Sequence, residues 1–213
     1  MTIETSKNLG GVGAILMFIG VIPWTWPYGW ILALVGLILA LIGFKGLADY
    51  YKEAGVFNNA FYAVILGIVG VGVSIGVVII AAFGFLAELG LTAANVAEWS
   101  ARITEWSAGI SQDLVGTGII WDFLAQILLA GVILWICLII AAVLLRKSLG
   151  VVSAKSGVGL FGITGLLILI GAVIPLIGLL LIWIGILLLA VAFFSIRPQQ
   201  AQPATPAAAP TQA

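Results

Sequence analysis

The sequence predicts an all-α fold: a polytopic bundle of about six transmembrane helices, with an external amphipathic helix between the third and the fourth. Three observations predict it. Of the 213 residues, 63% are hydrophobic and 8% charged, against roughly 25% charged in soluble domains, so a water-exposed surface could not be covered by what remains. Apolar runs of about twenty residues, enough for a helix to cross ~30 Å of hydrocarbon, recur along the whole chain. A single long polar passage, residues 88–118, divides two blocks of apolar hairpins.

Taken in order, the first membrane helix is expected over residues 9–22. The residues before it carry Glu4 and Lys7 and lack a basic n-region with a clear small-residue cleavage site, so this run reads as retained rather than as a signal peptide. Pro23, Trp24, Thr25, Trp26, Pro27 and Tyr28 then form a tight interfacial turn, because proline breaks a helix and Trp prefers the headgroup level. The second helix, 28–48, continues beyond Lys45, since Phe44, Leu47, Ala48 and Tyr51 keep helical spacing and Lys45 and Asp49 stand at i,i+4. Gly55 is the expected stop.

Asn58 or Asn59 can cap the third helix, 58–86, which from Phe61 onward has no strongly polar residue except Ser74. Ala63, Gly67, Gly70 and Ser74 share a face, and small residues so spaced let a neighbouring helix approach closely. Gly72 and Gly76 add a Gly-x-x-x-Gly pair. In functional terms, the same glycines could line a pore or form a hinge.

In the polar passage Val96, Trp99, Ile103, Trp106 and Ile110 recur at spacings of three and four, and Glu98, Arg102 and Glu105 fall opposite. This predicts an external amphipathic helix over 96–109, begun by Asn95 as N-cap with Glu98 in a capping-box position and stopped by Gly109. Such a helix either lies in the headgroup region or packs over the tops of the membrane helices; in both cases Trp99 and Trp106 are its candidate interface residues. The fourth to sixth helices follow at 119–146, 158–174 and 176–196. Arg146 and Lys147 end the fourth, and Pro175 separates the last two. The stretch 199–213, rich in Pro, Ala and Gln, is expected to be a disordered cytoplasmic tail.

The first and last hairpins resemble each other. With Pro23 placed on Pro175, Gly10 and Gly13 fall on Gly162 and Gly165. Past the turn, Gly29, Gly36 and Phe44 fall on Gly178, Gly185 and Phe193. Both copies would cross in the same sense, which makes the repeat parallel.

With six crossings, Lys7, Lys45, Lys52, Arg146, Lys147, Lys155 and Arg197 lie on one side and Arg102 alone on the other. Basic residues in short loops stay inside, so both termini are expected in the cytoplasm and the polar passage outside the cell membrane. A rival with four crossings and re-entrant first and fifth runs would put Lys7 and Lys45 on opposite sides and break that partition.

The opening of the first helix (Ser6, Lys7, Leu9, Gly10, Gly11, Gly13) and the stretch around the first cytoplasmic loop (Lys45, Gly46, Leu47, Ala48, Asp49, Tyr50, Tyr51, then Phe57, Asn58, Asn59, Ala60) carry a resemblance. The chain resembles a family of small, mostly archaeal, multi-pass membrane proteins classed as a domain of unknown function. The resemblance implies a membrane location and supplies no catalytic residues.

The residues themselves offer little chemistry. There is no histidine, and Cys137 is the sole cysteine, which argues against a disulfide, a metal centre or His-based acid–base catalysis. Asp49 and Glu53 are flanked by Lys45 and Lys52 and read as a solvated charged face, and Tyr50 and Tyr51 as interfacial anchors. No phosphate-binding loop or nucleophile with a base is present. The candidate functional polar residues are Asp122 and Gln126, one turn apart at the outer end of the fourth helix, with Arg102 as a possible partner; at that level a carboxylate serves either as anchor or as part of an ion path.

The expectation is therefore a non-enzyme without catalytic residues, cofactor, metal or nucleic-acid partner. It contacts the lipid bilayer and associates with a membrane-protein partner or with itself as a structural or interaction subunit. The alternative is a small carrier or channel built on the repeated hairpin, which would need polar groups at the midplane, where the sequence offers little beyond Ser74 and Thr164.

Overall fold

The computed structural model describes residues 2–21, 28–88, 90–91, 93–101, 103–104, 118–174 and 177–197. It is all-helical among these, with six long helices: α1 (Ile3–Gly20), α2 (Gly29–Tyr51), α3 (Ala54–Glu88), α4 (Ile119–Ser156), α5 (Leu160–Val173) and α6 (Ile177–Phe194). The tip 22–27, the passage 105–117 and the tail 198–213 lie outside the described residues.

Several boundaries differ from expectation, each for a local reason. Helix α1 starts at Ile3 rather than near residue 9, because Thr2 caps it: its Oγ1 accepts from the Thr5 amide at 3.3 Å. Helix α2 ends before Gly55 is reached. Lys52 takes a left-handed conformation (φ 55°) and the Glu53 amide bonds the Ala48 carbonyl at 2.9 Å, so the chain reverses within two residues. Gly55 and Asn58 consequently lie inside α3. Arg146 and Lys147 do not stop α4, which runs on to Ser156, where Gly157 at φ 71° ends it. A pair of charges does not by itself end a helix, and the extension is retained because Ser148, Leu149 and Val152 are fully buried against the other helices.

Each helix packs mainly on its neighbours in sequence, and α6 closes on α1, giving a ring of six. The α1–α2 hairpin is tightly packed. A Cβ placed on Gly13 would stand 2.5 Å from the Ala40 backbone nitrogen, and one on Gly20 2.5 Å from that of Ala33. Helices α3 and α4 are joined by Ser148 Oγ donating to the Val56 carbonyl (2.5 Å), Ser74 Oγ donating to the Ala130 carbonyl (3.0 Å), Gly70 against Cys137, and Phe85 stacked on Phe123. Trp135 Nε1 donates to the Ala172 carbonyl (2.9 Å) and binds α4 to α5. Trp183 Nε1 donates to the Phe18 carbonyl (3.1 Å), its ring stacked on Phe18, and thereby closes α6 on α1.

The best-buried core lies at the end of the ring that carries the basic residues. Phe44, Leu47, Val56, Leu149, Val152, Phe161, Phe193 and Ile196 form one cluster there, with Ile3 from the chain start. Across it Glu53 pairs with Lys155 at 2.8 Å; the expected Lys45–Asp49 pair is not formed among the described residues. Because α2 joins α3, and α4 joins α5, through short links at this end, the surplus length of α3 and α4 projects at the other. Helix α3 has 35 residues and α2 has 23, a difference of about 18 Å at 1.5 Å per residue.

The two hairpins share their architecture but not their register. Gly20 meets Gly29 in the first and Gly171 meets Gly178 in the second, whereas the sequence superposition put Ala172 on Gly20. This one-residue slip turns the helix face. Gly13 packs on α2 within its own hairpin, while Gly165, its sequence match, faces Arg146 and Leu149 of α4.

Candidate functional site

The ring surrounds a half-open chamber of about 230 Å³ to which all six helices contribute: Met17, Phe44, Gly67, Leu138, Ile168 and Leu189 stand for α1 to α6 in turn. Every side chain on its wall is apolar. Small residues create the space. Ala60, Ala63 and Gly67 on α3 face Ala141 and Ala142 on α4, and a Cβ added at Gly67 would meet no atom within 4 Å.

Aromatic rings close the basic end. Phe44 and Phe193 meet edge to face with centroids 5.2 Å apart, and Phe161 meets Phe193 likewise at 5.3 Å, all three buried. This geometry suits aromatic quadrupoles and fills the cross-section with rigid side chains.

The small-residue face of α3, expected to admit one helix along its length, divides in two. Gly70 receives Cys137 and Ser74 bonds Ala130, so these two seat α4, whereas Ala63 and Gly67 wall the chamber. A Cβ at Gly72 or Gly76 would meet nothing within 4 Å, so that pair makes no close contact within the chain. Thr164, one of the two polar residues noted near the midplane, is fully buried with its Oγ1 unpaired among the described residues.

Asp122 and Gln126 both lie exposed on the first turns of α4, away from the chamber wall. Asp122 is placed where a carboxylate favours the helix dipole. Arg102 and Trp106 both lie outside the described residues.

Trp99 is half-buried, and its Nε1 donates to Asn95 Oδ1 at 3.2 Å. Asn95 itself sits inside a 3-10 helix, Ala93–Glu98, with non-helical dihedrals (φ −121°, ψ 28°), and its Nδ2 donates to the Gly90 carbonyl at 2.7 Å. The segment kinks at Asn95, whose dihedrals are non-helical, as those of a helix-capping residue are. Val96 and Ile103, on the expected apolar stripe, are exposed.

Sequence reasoning found the small residues but missed the chamber. The available signal was the coincidence of Ala60, Ala63 and Gly67 with Ala141 and Ala142, which only the pairing of α3 with α4 brings opposite each other.

Four helices, α2, α3, α4 and α6, are long and apolar enough to cross a membrane. With most of the outward side chains of this ring apolar as well, the class is that of an all-helical, multi-pass membrane protein. Within that class the chain belongs to the DUF996 family, described as a protein of unknown function, whose model matches residues 32–193. It is also similar to the uncharacterized protein MJ1644 of Methanocaldococcus jannaschii, at 27% identity over 177 residues covering 82% of this chain and 80% of that one. No solved structure matches.

Proposed function

We propose that this protein is a structural or interaction subunit of the cell membrane rather than an enzyme, carrier or channel. The observation that carries the reading is the chamber at the centre of the ring, walled by apolar side chains from all six helices and floored by Phe44, behind which Phe193 and then Phe161 pack. An ion or polar solute in transit needs polar groups to replace its water, and a charge in an apolar environment costs several kcal/mol or more. The close backbone contacts within the hairpins suit a stiff scaffold. The projecting ends of α3 and α4, with exposed Ile79, Ile80, Phe83, Leu124 and Leu128, offer apolar surface to a membrane-protein partner or a second copy.

In this reading the chain crosses six times with both termini in the cytoplasm, which keeps the seven basic residues inside. Helix α5, with 14 residues, is only about 21 Å long, so the bilayer thins locally beside the two hairpins. Trp30, largely exposed near the tip of the first hairpin, suits the outer headgroup level there.

The test is flux through purified protein in liposomes. Proton and alkali-cation flux should not exceed that of empty vesicles, and Asp122→Asn should leave expression and assembly state unchanged. A flux that Asp122→Asn abolishes would establish the carrier or channel instead.

A further inference from the structure

We infer that the chamber is a binding site for one hydrocarbon chain of a bilayer lipid, entered sideways between α2 and α3. This goes beyond the scaffold reading and does not depend on it, since a carrier with the same chamber would bind the chain equally.

The chamber's chemistry selects the occupant. An apolar cavity of ~150 Å³ stays dry and accepts benzene, so a larger one with a wholly apolar wall gives water no partners and leaves hydrocarbon as the matching guest. A terminal chain segment gains dispersion contacts with walls that otherwise face a void.

Access follows from the packing. The α2–α3 seam is the most sparsely packed of the ring, because the turn at Lys52 and Glu53 holds the two helices together only at the basic end. Ile38 on α2 and Ile68 on α3 are exposed on the outside of the ring, in the medium that carries lipid chains. On the chamber side, Gly67 leaves open space next to buried Ala63. The aromatic floor prevents a chain from continuing to the basic end. The guest therefore enters from within the bilayer and leaves the same way.

Photolabelling tests this. The full chain is reconstituted in vesicles containing a diacyl phospholipid that bears a diazirine at the end of one acyl chain, irradiated, and mapped by peptide mass spectrometry. Adducts are expected on the wall residues Ala63, Leu138 and Ile168 as well as on the outward Ile79 and Leu128. Gly67→Phe and, separately, Ala63→Leu should lose the wall adducts and keep the outward ones, while Gly67→Ala keeps both. Retained outward labelling serves as the sign that each variant is inserted and folded. Wild-type protein labelled only on the outward residues, or wall labelling that survives both filling substitutions, would overturn the inference.

Discussion

Phe44 and Phe193, sequence equivalents in the two hairpins, meet edge to face at 5.2 Å in the buried core at the basic end. Phe44 lies on α2 and Phe193 on α6, so this pair joins the first hairpin to the last. Phe44→Ala or Phe193→Ala should each destabilise the protein by about 3–5 kcal/mol. The double substitution should fall short of the sum by about 0.5–1.5 kcal/mol, the coupling of an aromatic pair. Unfolding in a single micelle system measures both, and strict additivity would mean that the rings do not interact.

The hairpin backbone contacts predict opposite outcomes for two glycines. A methyl at Gly13 would lie 2.5 Å from the Ala40 nitrogen and 2.6 Å from the Gly36 carbonyl oxygen, so Gly13→Ala forces α1 from α2 and costs about 1–3 kcal/mol. Gly72→Ala meets nothing and should gain up to about 1 kcal/mol from helix propensity. Equal unfolding midpoints for the two variants would rule out the packing of α1 on α2.

Two serine hydroxyls hold α3 to α4, and a surface ion pair joins the α2–α3 turn to the end of α4. Ser74→Ala and Ser148→Ala each remove a buried hydrogen bond and should cost about 0.5–1.5 kcal/mol. Lys155→Ala breaks a pair in which both partners are well exposed and should cost less than about 1 kcal/mol, still less at high salt. The reverse ranking in denaturation experiments would show that the α3–α4 seam is not buried.

Topology can be read with single cysteines, because Cys137 is the sole native one. In a Cys137→Ala background, cysteines placed one at a time at positions 2, 54, 108, 150 and 205 should react with an impermeant thiol reagent in intact cells only at 108. Labelling at 2 and 150 from outside would reverse the proposed orientation.

Much of the fold was legible because a bilayer leaves few options. Long apolar runs in lipid must satisfy their backbone as helices, so helix number and order followed from hydropathy and from the breaks at Pro23 and Pro175. Helix ends were less legible. The residues that set them, Thr2, Lys52 and Gly157, act through caps and left-handed turns that compete locally with Gly55 or Arg146 as stop signals. At the opposite end from the basic residues, Asn95 stands at a kink and bonds both Gly90 and Trp99, contacts that its sequence position alone does not specify.

The sequence by itself determined an all-helical membrane class, six long helices, their order, and the concentration of basic residues at one end, because each follows from composition and local periodicity. Tertiary structure decided how the helices close into a ring, which small residues are filled and which stay open, and that the two hairpins differ by one residue in register. The physical reason is that a glycine in an apolar helix looks the same in sequence wherever it stands. Whether a neighbouring backbone enters the space, as Ala40 does at Gly13, or a void remains, as at Gly67, depends on where helices far apart in the chain come to lie.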